Sequence, residues 1–392
     1  VTPTIAGARL VRACLIGAWA AGLGACSYFR SDSNLEPPAE LVEFKASATV
    51  DEVWSRGLGT GPGKAFVKLD PYIGADAIYA SDRKGHVYAL DKSRGKILWQ
   101  TKLKRGVSSG IGVGAGLVTL GAAKGELVAL DQASGKQRWT ASLSSEILAR
   151  PAVDSGLVVV QTVDGKLTAL AADSGERRWA QERTEPPLSL RGTSAPVALS
   201  GVVLAGFANG KIAAFQLKDG NMLWEIPVTE ARGRSEIERL VDVDVQPLVA
   251  GKTLYAAAYQ GKLIAFNLEN GRIVWSRDVS TYSGMDSDGH NIYLTDESGG
   301  VLALDMNSGA SVWKQDQLHG RSLSAPLVTG DYLAVGDFEG YVHWLARDDG
   351  HFVARYRPSH DAVLAPLLGE GDTVFVYSQS GELAALRLRA KN

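Results

Sequence analysis

Residues 125–139 read GELVALDQASGKQRW, and residues 85–99 read GHVYALDKSRGKILW. The same frame returns as GKLTALAADSGERRW at 165–179, GKIAAFQLKDGNMLW at 210–224 and GKLIAFNLENGRIVW at 261–275. Looser copies are GGVLALDMNSGASVW at 299–313 and GYVHWLARDDGHFVA at 340–354, and a last one, GELAALRLRAKN, runs into the C-terminus from 381. The leading glycines are Gly85, Gly125, Gly165, Gly210, Gly261, Gly299, Gly340 and Gly381, spaced by 40, 40, 45, 51, 38, 41 and 41 residues. A period near 40 with several strand signals per period is the signature of a propeller blade of four strands.

Each residue type in the frame has a physical role. The leading glycine permits φ > 0 in a tight hairpin turn, as in Asp164-Gly165 or Asn209-Gly210. The run that follows, such as Leu127-Val128-Ala129-Leu130, is apolar without alternation, so the strand is covered on both faces. A small residue recurs at Ala89, Ala129, Ala169, Ala214, Ala265, Ala303 and Ala385 and lets a neighbouring blade approach closely. Asp91 and Asp131 open a second turn by bonding the local backbone. The closing tryptophan brings a large apolar area and one N–H that needs a partner, which suits the gap between two blades.

The tryptophans decide how the ring closes. Trp99, Trp139, Trp179, Trp224, Trp275 and Trp313 fill six slots. In the seventh copy the slot is Ala354, with Trp344 ten residues earlier, and the eighth copy stops at Asn392. Trp54 stands near the N-terminus with no glycine motif before it. The strand around Val50–Arg56 is therefore expected to complete the eighth blade. The predicted fold over residues 47–392 is all-β: an eight-bladed β-propeller, four antiparallel strands per blade, closed by an N-terminal strand that leaves no exposed sheet edge at the seam.

The chain begins with a processing segment. Arg9 and Arg12 precede an apolar stretch from Leu10 to Leu23 that is too short to span a membrane and has the shape of a signal peptide. It ends in Leu23-Gly24-Ala25-Cys26, which resembles a bacterial lipobox; residues 1–25 are expected to be removed and Cys26 lipid-modified. Ser27 in place of Asp favours, by the same resemblance, sorting to the outer membrane. Residues 26–46, with Pro37-Pro38 and several charges, read as a flexible tether.

Several function classes are disfavoured. With 41 Lys+Arg against 43 Asp+Glu, the net charge of −2 supplies no basic surface for nucleic acid. Cys14 and Cys26 are the only cysteines, so the body has neither a disulfide framework nor a cysteine metal site. His86, His290, His319, His343, His351 and His360 lack metal-ligand spacing, and most of them read as surface or turn residues. Gly110 to Gly116 (GIGVGAG) looks like a phosphate loop but falls where an innermost strand belongs, and small residues suit a crowded axis. No nucleophile elbow, P-loop or dinucleotide fingerprint stands in strand-turn-helix context. No catalytic residue, cofactor or metal is expected.

Departures from the repeat point to function. Most copies take 24 to 27 residues from the tryptophan slot to the next leading glycine, but Trp179 to Gly210 takes 31, Trp224 to Gly261 takes 37, and Trp54 to Gly85, at the N-terminal end, takes 31. The two interior insertions fall between the outermost strand of one blade and the innermost strand of the next, a connection that always emerges on the same face. The first carries Leu188, Leu190 and Arg191; the second carries Asp242 and Asp244 between Val241, Val243 and Val245. If extended, each pair lies on one side of a strand and can present leucines, a guanidinium and carboxylates to a partner. Equally, the leucines can be loop core, with the aspartates paired to Arg191.

Taken together, the lipobox, the tether and eight repeats closed by an N-terminal strand resemble the BamB family of outer-membrane assembly lipoproteins, over nearly the whole chain. The stretches LSLRGTSAP (188–196) and RLVDVDVQP (239–247) strengthen the resemblance. It implies a non-catalytic scaffold of the β-barrel assembly (BAM) complex, held at the periplasmic face of the outer membrane by its lipid alone. It further implies that Leu188, Leu190, Arg191, Asp242 and Asp244 bind the periplasmic POTRA domains of a BamA-like insertase. Pairing with nascent outer-membrane protein strands is a further implication. The repeat also resembles that of pyrroloquinoline-quinone dehydrogenases, which need Ca²⁺ held by converging oxygens; no such cluster departs from the repeat positions, and no cysteine follows Cys26. A periplasmic propeller scaffold with another partner, such as a peptidoglycan or efflux component, differs only in the two loop motifs.

Overall fold

The computed structural model describes residues 37–63, 68–184, 186, 194–231, 234–235 and 238–391. Cys26, Leu188, Leu190 and Arg191 lie outside the described residues. From Ala39 onward the chain forms one compact unit. The described strands form eight four-stranded antiparallel sheets, seven of them meanders of consecutive strands. The eighth joins Leu368–Glu370, Thr373–Tyr377 and Glu382–Ala390 to Ala48–Gly57 from the other end of the chain. This is the expected eight-bladed ring with its expected seam.

The core lies between blades rather than within them. Eight clusters of buried apolar side chains each draw on two neighbouring blades. The closing cluster sets Phe375, Tyr377, Leu383 and Ala385 of blade 8 against Ile78, Ala80, Tyr88 and Leu90 of blade 1. Burial on both faces explains the unbroken apolar runs: Leu117–Ala122 is buried throughout, whereas the outer strand Gln137–Ser142 buries only Trp139.

The register shows what the tryptophans do. The repeat alanine faces the tryptophan across the two outer strands in Ala89/Trp99, Ala129/Trp139, Ala169/Trp179, Ala214/Trp224, Ala265/Trp275 and Ala303/Trp313. Trp99, Trp139, Trp179, Trp275 and Trp313 each donate from Nε1 to a carbonyl of the next blade, such as Trp139 to Ala172 at 2.8 Å and Trp313 to Arg347 at 3.0 Å. In these five the ring face lies under the glycine of the next blade's second turn. Gly175 has φ +76°, and a Cβ there would sit 2.6 Å from the Trp139 ring. Trp54 takes the same place at the seam, opposite Ala385 and bonded to Lys92 O at 2.9 Å in blade 1.

Blade 7 inverts the pair, with Trp344 opposite Ala354. The reason is topological. In blade 8 the two outer strands come from opposite ends of the chain, so no turn connects them and no glycine exists for a tryptophan to cover. Trp344 turns instead into the interface with blade 8 and is fully buried. Blade 5 departs more mildly: Gln260, not Gly261, takes the positive φ of the hairpin, at 48°.

Of the tether expected over 26–46, residues 26–36 lie outside the described residues, and the part from Ala39 is packed rather than free. Leu41, Val42 and Phe44 pack into the core between blades 6 and 7, and Phe44 stacks on Phe352 with ring centroids 5.3 Å apart. The strap is pinned at both ends, by Ala39 N to His319 O at 2.9 Å and Ser47 N to Val353 O at 3.1 Å. Arg321 donates to Ala39 O at 3.0 Å and Arg355 to Val42 O at 3.1 Å. Both cations are tied to a buried Asp337–His343 pair. Asp337 Oδ2 accepts from Arg321 Nε and meets His343 Nε2, each at 2.9 Å, while Arg355 Nε donates to His343 Nδ1 at 3.2 Å. Because Nδ1 accepts, the proton sits on Nε2 and the imidazole is neutral. Burial holds its pKa below the ordinary value, opposed by Asp337. His343 is therefore core, not the surface or turn residue its sequence context suggested.

Candidate docking face

In each blade the connection from the outermost strand to the next innermost strand, and the turn between the second and third strands, emerge on one face of the ring. Contacts across the axis confirm that these connections share one mouth. Lys68 Nζ reaches Tyr282 O at 3.5 Å, between the loops entering blades 1 and 6. Arg150, entering blade 3, donates to Gln246 Oε1 at 2.6 Å at the entry to blade 5, and its guanidinium lies 5.7 Å from the Tyr72 ring centroid in blade 1. Arg150 thus spans the axis. Below it the innermost strands crowd together: a Cβ on Gly112 would sit 2.2 Å from Pro151 O, so the glycine-rich 110–116 stretch is axial packing.

The described part of the second enlarged connection is built into this face. Val241, Asp242, Val243, Asp244 and Val245 are all buried, at 4, 2, 0, 7 and 2% exposure. Of the two readings the sequence left open, this burial disfavours a solvent-facing edge over residues 241–245. Val243 N donates to Phe207 O at 3.3 Å and Tyr259 N to Asp242 O at 2.8 Å, so second–third strand turns of blades 4 and 5 grip the segment from both sides. Val243 then packs in the core between blades 4 and 5, and Val245 in the core between blades 5 and 6. With both sides covered, a period of two has no solvent face to report.

The carboxyl groups are correspondingly perturbed. Burial pushes Asp244 up from its ordinary 3.8, against Lys68 and a hydrogen bond with Asp242. Asp244 Oδ1 is buried without a hydrogen-bond partner among the described residues. Burial also raises Asp70 at the entry to blade 1, against Lys68 and Arg150. An acid whose folded pKa lies above its unfolded one is harder to ionise in the ring, so stability falls as pH rises from 3.8 through the folded value. Asp244→Asn is expected to remove its share of that fall. Urea unfolding of both proteins between about pH 4 and 8 reads it, and identical pH slopes would count against the assignment.

Beside this segment stand residues that the sequence reading missed. Tyr259 and Tyr282 pack edge to face at 6.3 Å, and Tyr282 is 38% exposed. Lys68, Asp70, Arg150 and Gln246 complete the mouth. A signal for three of them was present: Asp70, Arg150 and Gln246 each directly precede a proline that opens an innermost strand. The face offers aromatic edge, paired charge and a rigid backbone, which are recognition features. Among the described residues, one group of potential metal ligands comes together, Asp348, Asp349 and His351, exposed on the opposite face.

Comparison with known proteins agrees with this architecture. The profile of a family described as outer membrane protein assembly factor BamB matches residues 83–315. The outer membrane protein assembly factor BamB of Pseudomonas aeruginosa is 50% identical over 360 residues, covering 92% of this chain and 95% of that protein. The crystal structure of BamB from Moraxella catarrhalis superposes with a TM-score of 0.80 at 29% identity, covering 86% of this chain and all of that one. A quinohemoprotein alcohol dehydrogenase from Pseudomonas putida reaches a TM-score of 0.70 at 14% identity, over 88% of this chain and 77% of that one, a likeness of fold alone. The chain belongs to the family of the outer membrane protein assembly factor BamB.

Proposed function

We propose that the chain is a non-catalytic scaffold of outer-membrane β-barrel assembly, held at the periplasmic face of the outer membrane through a lipid on Cys26, and that it docks onto the POTRA domains of a BamA-like insertase. The observation that carries this reading is the face just described. Two enlarged connections enter neighbouring blades on one side of the ring, and the described one is locked into the core before any partner arrives. Such pre-organisation lowers the ordering cost of binding. Asp242 and Asp244 act as positioning residues that set the loop, while Leu188, Leu190 and Arg191 on the neighbouring connection make the contact. Exposed apolar pairs on outer strands, Met222/Leu223 and Ile273/Val274, support a secondary role in holding nascent barrel strands by edge pairing.

Arg191→Glu is expected to abolish co-purification of the insertase from detergent-extracted outer membrane while leaving the melting temperature unmoved. Undiminished co-purification would sink the assigned contact.

A further inference from the structure

The strap between blades 6 and 7 occupies a cleft that the repeat builds again elsewhere. It packs against His343, Leu345, Phe352 and Arg355, with Trp313 and Leu318 of blade 6 on the far side. In the repeat frame that aligns Ala169/Trp179 with Trp344/Ala354, the corresponding positions of blade 3 are Thr168, Leu170, Arg177 and Ala180. These four line an open cleft of about 520 Å³ between blades 2 and 3, together with Leu143 and Lys166.

We propose that the cleft between blades 2 and 3 binds an extended peptide of acidic–apolar pattern from another polypeptide. Three observations carry this. The equivalent cleft already holds such a segment, Ala39 to Ser47 (AELVEFKAS), with Leu41, Val42 and Phe44 inward and Glu40, Glu43 and Lys45 exposed. The opening also carries charge: Lys166 is shared between Asp164 at 3.7 Å and Glu182 at 3.9 Å, and beside them the exposed Arg177 faces the opening and suits an acidic side chain. The cleft also lacks a closing bond. Two residues after the tryptophan, Arg56, Thr101, Arg277 and Gln315 each donate to the carbonyl of the next blade's turn glycine, at 3.2, 2.6, 2.8 and 3.0 Å. Here that position is Ala141, whose side chain offers no donor to Gly175 O at the cleft wall. The site lies between the outer strands of blades 2 and 3, and its lining reaches Gln181 and Glu182, where the first enlarged connection begins.

The test titrates the full chain into a fluorescent peptide carrying the strap sequence, residues 39–47, followed by anisotropy. Saturable binding is expected, weakened at least about tenfold by Ala180→Trp, which fills the cleft from an exposed position, and by Lys166→Glu. A peptide with both glutamates changed to lysine is expected to bind at least about tenfold more weakly. Absence of saturable binding, or equal affinity for the Ala180→Trp ring, overturns the proposal. So does binding that rises with Phe44→Ala yet ignores Ala180→Trp, because the peptide would then be replacing the strap.

Discussion

Trp344→Ala is expected to destabilise the ring by about 3–5 kcal/mol, the range for emptying a buried aromatic site. Trp344 is fully buried in the core between blades 7 and 8, among Val342, Val353, Val374 and Leu386, and no solvent-facing rearrangement can refill its volume. Its Nε1 is buried with no hydrogen-bond partner among the described residues. Trp344→Phe should therefore be mild, because the lost contacts are offset by removal of an orphaned donor worth about 1–3 kcal/mol. Trp139→Phe should behave in the opposite way, since it breaks a 2.8 Å bond and strands Ala172 O. Urea unfolding of the three variants separates the cases. A larger loss for Trp344→Phe than for Trp139→Phe would contradict the account of the inverted pair.

Arg321→Ala is the second large effect, about 3–5 kcal/mol, as for a buried ion pair that loses one member. Arg321 is 3% exposed, bonds Asp337 through Nε and a terminal nitrogen, and also binds Glu339 and the strap carbonyl of Ala39. Without it the Asp337 carboxylate keeps only His343 and backbone N–H groups in a buried site, and the strap loses one of its two arginine clamps. Faster hydrogen exchange at Ala39 should accompany the loss of stability. Acid should act on the same assembly. His343 has a folded pKa below its ordinary 6.5, so its neutral form supports the fold above that value, and stability is lost as pH falls from 6.5 through the folded pKa. Protonation would place an Nδ1–H against the Arg355 Nε–H.

The ring was legible in the sequence because its signals are local and repeated. Glycine spacing gave the blade count, and the lone Trp54 gave the seam, since each residue's task is fixed by the hairpin it sits in. The exceptions are positions where the neighbour decides. Ala354 and Trp344 read as an unexplained swap because the cause, a missing turn, lies in a different blade. His343 looked like a surface residue because its burial is set by groups apart in sequence: Arg355 faces it from the next strand of its blade, and Asp337, which it meets, is held by Arg321 from the connection entering that blade. Pro37-Pro38 and the charges around Glu40 and Glu43 suggested a linker, although Leu41, Val42 and Phe44 already carried the pattern of a half-buried strand. At Asp242 and Asp244 the alternation was real but misleading, for turns from blades 4 and 5 cover both sides.

The central claim is that the face of the enlarged connections is a rigid docking surface for the insertase. Calorimetric titration of the purified ring with the isolated POTRA region of a BamA-like insertase tests it most directly. Saturable one-to-one binding is expected, unchanged within about threefold by Asp244→Asn and weakened by Arg191→Glu at least about thirtyfold, the loss when one partner of an interfacial charge contact is reversed. A wild-type ring that does not bind, or an Arg191→Glu ring that binds as well as wild type, would contradict it.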